Sequence, residues 1–234
     1  MEDFTLVMPG SGLNYLWQLG GLKALSDLGL RNCIKKVYAC SGGAWATIFF
    51  GLGDHAMEDW LERAPSFYAE WQEKNRFRYV HRMTRALYEE SRSVLGRYGF
   101  FDKFTLPFEC HFKMVELYPS PGTRFIDVTH ATPQRVHHLA VASSTIPFIT
   151  GLVSNEGDKW YVDGDFTSGF GKLEDDVLIL DPRGSRWEQE RVISPSQKLD
   201  SGLKLGSPLL MRKEEIETIV RCGYADVYKA LNTL

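Results

Sequence analysis

One stretch of the chain, residues 36–51, restricts the possible folds more than any other. The β-branched and aromatic run at 36–39 predicts a short buried strand, and the small residues at 44–51 predict a helix. Cys40, Ser41, Gly42 and Gly43 separate the two elements, so the chain must turn sharply within four residues. An ordinary strand-to-helix turn with a capping serine is one explanation of this pattern.

A second explanation gives the turn a chemical role. A serine on a sharp turn between a strand and a helix is the layout of a nucleophile elbow, in which a strained backbone pushes the hydroxyl out of the sheet. The usual pattern is G-x-S-x-G; here Ala39 stands at the first position and Gly43 at the last. The N-terminus of a helix that starts at Gly42 also favours negative charge beside Ser41. Ser41 is therefore a candidate nucleophile.

A glycine-containing loop near the start of the chain has the same strand–loop–helix layout. Residues 4–8 predict a buried strand, residues 9–12 form the loop, and residues 14–28 have the apolar spacing of a helix that stops at Gly29. Backbone N–H groups of such a loop bind an anion, either a nucleotide phosphate or the oxyanion of an acyl-transfer intermediate. The loop lacks the G-K-[ST] ending of a P-loop and the third glycine of a dinucleotide fingerprint. A tight turn without a binding role is the alternative.

These two strand–helix units predict a parallel sheet that is covered by helices. Ligands of such sheets bind at the carboxyl ends of the strands, and both the glycine loop and Ser41 follow a strand directly. We therefore expect the loop and the serine to lie on the same edge of the sheet.

A carboxylate follows a later strand in the same way. Residues 159–162 predict a strand that runs into Asp163, Gly164 and Asp165. An Asp at a strand end followed by glycine is well placed to project its carboxylate into a site. An Asx-type turn that closes a hairpin is the simpler explanation of D-G taken alone.

The remaining sequence supplies the elements of a single domain that spans residues 1–234. The other predicted helices are residues 55–98, broken near Pro65 and Gly96, residues 133–142, capped by Thr132, and residues 214–231 within a C-terminal helical segment at 212–234. The other predicted strands are residues 110–117, 124–130 and 176–180. Residues 183–208 are polar and rich in Gly, Pro and Ser, which predicts a long surface loop or lid. The last helix is expected to bury one side formed by Ile216, Val220, Tyr224, Val227 and Leu231.

Basic and aromatic residues alternate in one segment of the predicted helices. Residues 74–104 contain eight Lys or Arg and three Asp or Glu, a net charge of +5, interleaved with seven aromatic residues. This composition suits peripheral contact with a membrane that carries anionic headgroups. A solvated helix face whose aromatic side chains lie in the core is the alternative.

The overall composition excludes several classes of protein. The 234 residues are 44% hydrophobic and carry a net charge of -3, which fits one globular domain and does not suggest a general nucleic-acid binder. Four widely spaced cysteines without a C-x-x-C pair predict neither a disulfide framework nor a zinc site, and they suit a reducing compartment. No signal peptide is evident, and no apolar run approaches the ~20 residues of a membrane span. We therefore expect a cytoplasmic protein.

Four stretches, taken in chain order, resemble the patatin-like phospholipase family. The G-G-G-x-[RK]-G loop of that family resembles residues 10–15, its G-x-S-x-G motif residues 39–43, its small-residue segment ending in proline residues 142–147, and its D-G-[GA] motif residues 163–165. The resemblance covers roughly residues 4 to 181, and the final helix fits it, whereas residues 183–208 are not covered.

The resemblance implies an α/β fold, a three-layer α/β/α sandwich with a mainly parallel central sheet. It also implies that Ser41 attacks an acyl ester and that Asp163 acts as the general base, without a histidine. Backbone N–H groups of Gly10, Ser11 and Gly12 would form the oxyanion hole. The substrate would be a phospholipid or another lipid acyl ester, cleaved through an acyl-enzyme as in a phospholipase A or esterase. No cofactor, metal ion or nucleic-acid partner is implied.

Four positions in the glycine loop and the D-G motif depart from the family pattern. Ser11 replaces the middle glycine of the loop, which requires that its φ is not positive or that strain is absorbed elsewhere. Asn14 and Tyr15 replace the Arg or Lys and the last glycine, which removes a positive charge. Asp165 adds a second carboxylate next to Asp163, and repulsion between the two would raise one pKa.

Hypotheses from other classes remain at this point. One is a Ser-His-Asp esterase of the α/β-hydrolase type, although none of the six histidines stands in a motif that marks a triad partner. Another is a non-catalytic module that binds a lipid or a partner on the same fold. An acyltransferase is a further variant, because water and an acceptor alcohol compete for the same acyl-enzyme.

Overall fold

The computed structural model describes residues 3–75, 80–147, 152–167, 169–171, 173, 176–184, 187, 191–197, 199 and 212–232, and for residues 71–75 and 80–87 it describes the backbone alone. The α-helices in these ranges are α1 (Tyr15–Asp27), α2 (Gly42–Leu52), α3 (Asp54–Asn75), α4 (Val80–Arg97), α5 (Phe100–Lys103), α6 (Pro133–Ser143) and α7 (Lys213–Asn232). The strands are β1 (Phe4–Met8), β2 (Ile34–Ala39), β3 (Glu109–Tyr118), β4 (Gly122–Asp127), β5 (Ser154–Glu156), β6 (Lys159–Asp163), β7 (Val177–Leu180) and β8 (Val192–Ile193).

The strands form one mixed sheet with the order β5-β6-β3-β2-β1-β7-β8, and β4 pairs with β3. In the part of the sheet with the order β3-β2-β1-β7-β8, neighbouring strands are parallel. Parallel pairing is expected for strands that are linked through helices. The pairs β3–β4, β3–β6 and β5–β6 are antiparallel. Strands β1 and β7 are buried at every position, as is typical of parallel strands covered on both faces.

Strand β3 brings two other strands together along one of its edges. Residues 111–112 pair with both β2 and β4, and residues 114–116 pair with both β6 and β4, so β2 and β6 share the edge opposite β4. The two strands approach each other end to end, because Ala39 lies opposite Phe112 and Asp163 lies opposite Met114. The carboxyl ends of β2 and β6 therefore meet within two residues of β3.

The two faces of the sheet are covered separately, because successive residues of a strand point to opposite faces. The larger hydrophobic cluster lies between the sheet and the helices and includes Leu6 of β1 and Leu178 of β7. A smaller cluster covers the opposite face, where Val7 and Ile179 pack with Phe170 from the segment after β6. The predicted α/β class is confirmed as a central mixed sheet that is covered on both faces.

The predicted elements lie within two residues of the observed ones for most of the chain. The N-cap of α6 is confirmed, because the Thr132 hydroxyl accepts the N–H of Arg135 at 3.4 Å. Strand β4 ends at Asp127 rather than at residue 130. The reason is that the carboxylate of Asp127 accepts the N–H of Thr129 at 2.8 Å and starts a turn there.

The predicted break at Pro65 is wrong, because α3 continues through this residue. Pro65 lacks an N–H group and removes one hydrogen bond from the helix. The helix nevertheless buries Trp60, Ala64 and Pro65 on one side, and Trp60 stacks on Phe49 with ring centroids 4.9 Å apart. This packing favours continuation of the helix despite the lost bond.

Two features of the C-terminal part differ from the expectation. A short strand, β8, lies inside the segment predicted to be a loop and pairs in parallel with β7; residues 198 and 200–211 lie outside the described residues. Helix α7 is present, but its buried side includes Ile219 and Gly223, whereas Val220 and Tyr224 are half-buried. The helix packs on α1, where the indole N–H of Trp17 donates to Asp226 at 2.9 Å.

The basic and aromatic segment is described only in part. Residues 76–79 and the side chains of Lys74, Arg82 and Arg85 lie outside the described residues. Phe100 and Phe104 are buried in the core, and the Tyr98 hydroxyl donates to Asp59 at 2.6 Å. The described aromatic side chains thus follow the alternative, a helix with its aromatic face in the core. Among the described helices, none is both long and apolar enough to cross a bilayer.

Candidate active site

Ser41 stands between β2 and α2 in a backbone conformation that is rare for a residue with a side chain. Its φ of 51° and ψ of -127° are those of a sharp turn, and its side chain is 5% exposed. A Cβ atom on Gly42 would lie 2.4 Å from the Ser11 hydroxyl and 2.6 Å from the Gly12 carbonyl oxygen. Glycine is therefore required at this position for the N-terminal loop to pack against the turn. The strand, turn and helix predicted around Ser41 are all present.

The C-terminal end of α6 and the residues directly after it join Ser41 to Asp163. The Ser143 hydroxyl accepts the backbone N–H of Ser41 at 2.8 Å and donates to the carbonyl of Lys113 at 2.8 Å. Two residues later, the carbonyl of Thr145 accepts the backbone N–H of Asp163 at 2.9 Å. The small-residue segment that the sequence analysis quoted without a role thus fixes the backbones of both candidate residues.

The glycine loop is held by a residue that the sequence analysis did not single out, Gln18 of α1. Its side-chain carbonyl accepts the Ser11 hydroxyl at 2.9 Å, and its amide donates to the carbonyls of Pro9 at 2.9 Å and Leu180 at 3.0 Å. Gln18 is fully buried, so these bonds compete with no solvent. Ser11 has a φ of -147°, which meets the condition stated for its replacement of glycine, whereas Gly12 has a φ of 54°.

A cavity of about 250 Å³ opens at the point where these segments meet. Its lining contains every residue that the sequence analysis placed in the site. The lining residues are Gly10, Ser11, Gly12, Asn14, Ser41, Ile146, Asp163, Asp165, Phe166 and Arg183. Ile146 and Phe166 supply the apolar wall of this cavity.

Asp163 is almost completely buried, at 1% exposure. Burial raises the pKa of its carboxyl group to about 7, and the charge of Asp165 raises it further, whereas the Ser41 hydroxyl, the Asp165 N–H and Lys113 lower it. Oδ1 accepts the Asp165 N–H at 2.8 Å, but Oδ2 is buried without a hydrogen-bond partner among the described residues. A carboxylate with this pKa and one unsatisfied oxygen is suited to accept a proton at neutral pH.

Asp165, the additional carboxylate, lies at the cavity as expected. Its repulsion of Asp163 is a smaller cause of the raised pKa than burial is. Asp165 forms an ion pair with Arg183, and Arg183 lies next to the buried Asp181 with Nε and Oδ1 3.6 Å apart. Lys113 is also buried, and its ammonium donates to the Thr167 carbonyl at 2.7 Å.

The other two departures from the family pattern have different environments. Asn14 lines the cavity, and its side-chain oxygen is buried without a partner among the described residues. Tyr15 points into the core. Its hydroxyl forms a hydrogen bond with the Tyr68 hydroxyl and accepts the indole N–H of Trp60, both at 2.9 Å. Only Asn14 is thus in a position to affect a bound molecule.

Histidine does not line the cavity among the described residues. His137 is buried next to Tyr88 and bonds the Ser91 hydroxyl at 2.9 Å, and burial lowers its pKa to about 4. His111 pairs with Glu109 at 2.7 Å. The side chain of His81 lies outside the described residues. Within the described ranges no group of three or more His, Cys, Asp or Glu is arranged to hold a metal ion.

Three residues of the site were missed by the sequence analysis: Gln18, Ser143 and Arg183. Arg183 follows β7 by three residues, so the rule that sites form at the carboxyl ends of parallel strands would have indicated it. Gln18 is a polar residue among the leucines of an apolar helix, which is a weak pattern. Ser143 acts through hydrogen bonds that depend on tertiary structure.

Comparisons with known proteins identify the family and the fold. A family model described as patatin-like phospholipase matches residues 6–171. Among solved structures, VipD from Legionella pneumophila is similar with a TM-score of 0.59 at 12% identity, over 100% of this chain and 67% of that one. ExoU of the type III secretion system of Pseudomonas aeruginosa, in its heterodimeric complex with SpcU, is similar with a TM-score of 0.56 at 14% identity.

The ExoU match covers 99% of this chain and 52% of that one, so the chain spans about half of ExoU and two thirds of VipD. At these identities the solved structures show the fold alone. No curated protein sequence matches the chain significantly. The family model, however, covers more than two thirds of the residues, including the glycine loop, Ser41 and Asp163. The chain therefore belongs to the patatin-like phospholipase family.

Proposed function

We propose that this protein is a serine acyl hydrolase that cleaves fatty acyl esters of lipids, as a phospholipase A or an esterase does. The observation that carries the proposal is that a strained serine and a buried carboxylate of raised pKa line one cavity. Membership of the family supports a lipid ester as the substrate. The apolar wall formed by Ile146 and Phe166 suits an acyl chain, and the polar loop suits the ester.

In the acylation step, Ser41 Oγ attacks the ester carbonyl carbon while Asp163 accepts the hydroxyl proton. The electron pair of the C=O bond moves to oxygen, and backbone N–H groups of Gly10, Ser11 and Gly12 stabilise this oxyanion. The tetrahedral intermediate then expels the alcohol, which takes the proton from Asp163. The acyl group remains on Ser41.

Water completes the reaction at the same two residues. Asp163 accepts a proton from water, the resulting hydroxide attacks the acyl carbon, and the Ser41 oxygen leaves and regains the proton. An acceptor alcohol in place of water makes the enzyme an acyltransferase. Analysis of the products with and without added glycerol distinguishes these outcomes.

Substitution of the two residues tests the proposal directly. We expect Ser41→Ala to abolish labelling by a fluorophosphonate probe and turnover of a short-chain ester, because it removes the nucleophile. We expect Asp163→Asn to reduce both strongly, because an amide accepts no proton. Circular dichroism of each variant controls for folding.

Folded wild-type protein that neither labels nor hydrolyses the ester would contradict the proposal. Lipid binding that survives Ser41→Ala, without turnover in either form, would favour a binding module. Activity that tolerates Asp163→Asn but not the loss of a histidine would favour a Ser-His-Asp esterase.

The pH dependence of kcat/KM tests the base separately. Asp163 acts in its ionised form, and its pKa is about 7. The active fraction therefore falls as the pH decreases below 7, by about tenfold per pH unit well below the pKa. Ester turnover measured between pH 5 and 9 on protein that stays folded checks this expectation. A flat profile between pH 5 and 7 would exclude Asp163 as the base.

The same carboxyl group makes stability depend on pH. Its pKa is about 7 in the folded protein and 3.8 for an unperturbed aspartate, so the unfolded state ionises it more readily. The free energy of unfolding therefore decreases by about 1.4 kcal/mol per pH unit between these values as the buried group becomes charged. Asp163→Asn removes this loss. In urea unfolding, the free energy of unfolding of the variant should therefore rise relative to that of wild type as the pH increases from 5 to 7. A constant difference over that range would contradict the raised pKa.

Gln18 offers a test of the loop. Gln18→Met keeps the volume but leaves the carbonyls of Pro9 and Leu180 without donors, which costs about 1–3 kcal/mol of stability. We expect kcat to fall about tenfold or more, with a smaller change in KM, because oxyanion donors act mainly in the transition state. The matched control is Gln134→Met, at an exposed position of α6. Unchanged kcat in Gln18→Met would show that the loop needs no such support.

A further inference from the structure

The ion pair between Asp165 and Arg183 lies at the cavity but has no part in the reaction proposed above. The carboxylate of Asp165 accepts a hydrogen bond from Nη1 of Arg183, and both side chains line the cavity. The buried Asp181 accepts the backbone N–H of Arg183 at 3.1 Å, and its Oδ1 lies 3.6 Å from Nε of the guanidinium. Asp181 in turn accepts the indole N–H of Trp187 at 2.9 Å. The guanidinium is thus held in a defined position.

The Asp165 carboxylate lies directly against the glycine loop. A Cβ atom on Gly10 would be 2.6 Å from Cγ and 2.7 Å from Oδ2 of Asp165, so only glycine admits the carboxylate at this distance. Oδ2 is the same oxygen that pairs with Arg183. A negative charge therefore sits beside the donors proposed for the oxyanion, where it opposes a second negative charge.

Among the described groups around Asp165, Arg183 is the one that compensates the negative charge of its carboxylate. The Cys40 sulfur lies 4.0 Å from Oδ1, and Asp163 is a second acid. Lys113 contributes a further positive charge, but its ammonium donates its hydrogen bond to the Thr167 carbonyl. Among the described residues, Arg183 is the cation in direct contact with Asp165.

The position of Arg183 offers an explanation for one departure from the family pattern, the acid at Asp165. Asp165 stands where the family motif has Gly or Ala, and Arg183 lies beyond the residues that the family model matches. We infer that Arg183 is a positioning residue that compensates the charge of Asp165 beside the glycine loop and thereby preserves stabilisation of the oxyanion at Ser41. This inference rests on the proposed function.

A double-mutant cycle on a neutral short-chain ester tests the inference. Arg183→Gln leaves Asp165 uncompensated, and because both side chains are partly exposed we expect kcat to fall about 3- to 10-fold with little change in KM. Asp165→Asn should have a smaller effect, and the double variant should recover to the level of Asp165→Asn. Arg183→Lys, which keeps the charge, should retain more activity than Arg183→Gln. The matched control is Arg124→Gln, which removes an arginine paired with Glu116 outside the cavity.

A double variant as slow as Arg183→Gln would overturn the inference, because Arg183 would then act by holding the chain segment and not through Asp165. An Arg183→Gln variant with wild-type kcat would overturn it as well. Turnover by wild type that depends on Ser41 establishes the proposed function in the same assay, so either result leaves that function standing. Wild-type protein without such turnover overturns both.

The pH profile gives a readout that a merely structural role does not move. The charges that face Asp163 are those of Asp165 and Lys113, and Asp165 raises its pKa while Lys113 lowers it. Loss of Arg183 exposes Asp163 to the full charge of Asp165, so the acid limb of kcat/KM should move to higher pH. Asp165→Asn should move it to lower pH. Superimposable acid limbs in all variants would overturn the inference.

Discussion

The hydroxyl of Ser143 is the contact on which the rest of the candidate site depends. Strand β2 pairs with β3 up to Phe112, and β6 pairs with the same edge from Met114, so the carbonyl of Lys113 lies in the gap between them. Ser143 fills the gap by donating to that carbonyl and accepting the N–H of Ser41. Backbone strain of the kind seen at Ser41 costs about 1–3 kcal/mol and persists only where neighbours determine the conformation. Ser143 supplies that constraint, because it links the backbone of Ser41 to a carbonyl of β3.

The direction of β6 explains how a two-residue site can form without a relay. A parallel strand in this place would carry its carboxyl end away from the gap. Because β6 is antiparallel to β3, its last residue, Asp163, arrives at the gap directly. Burial there raises the pKa of the carboxyl group to about 7, which is the value that a histidine would otherwise supply. The proposed chemistry therefore follows from sheet topology and burial together.

Sequence patterns were sufficient for the parts of the structure that depend on local chemistry. The strand before Ser41, the glycine loop and the cap at Thr132 follow from periodicity and turn residues, and the structure contains all three. The shared edge for the loop and Ser41 followed from a rule about parallel strands. The same reasoning failed at Pro65, where packing of Trp60 outweighs the local cost of proline, and at β8, whose two residues pair only because β7 is beside them.

The electrostatics of the site could not be predicted from local sequence patterns. A D-G-D sequence indicates two nearby carboxylates, but the difference between them comes from burial, which is 1% exposure for Asp163 and about a third for the side chain of Asp165. The cation that accompanies Asp165 lies eighteen residues away in a segment without a recognisable period.

Strain at Ser41, a buried acid at Asp163 and an amide oxygen at Asn14 that has no partner among the described residues are all costs to stability, and all lie around one cavity. Such clustering is expected where a fold supports chemistry, because the core on the helical face supplies the stability that the site gives up.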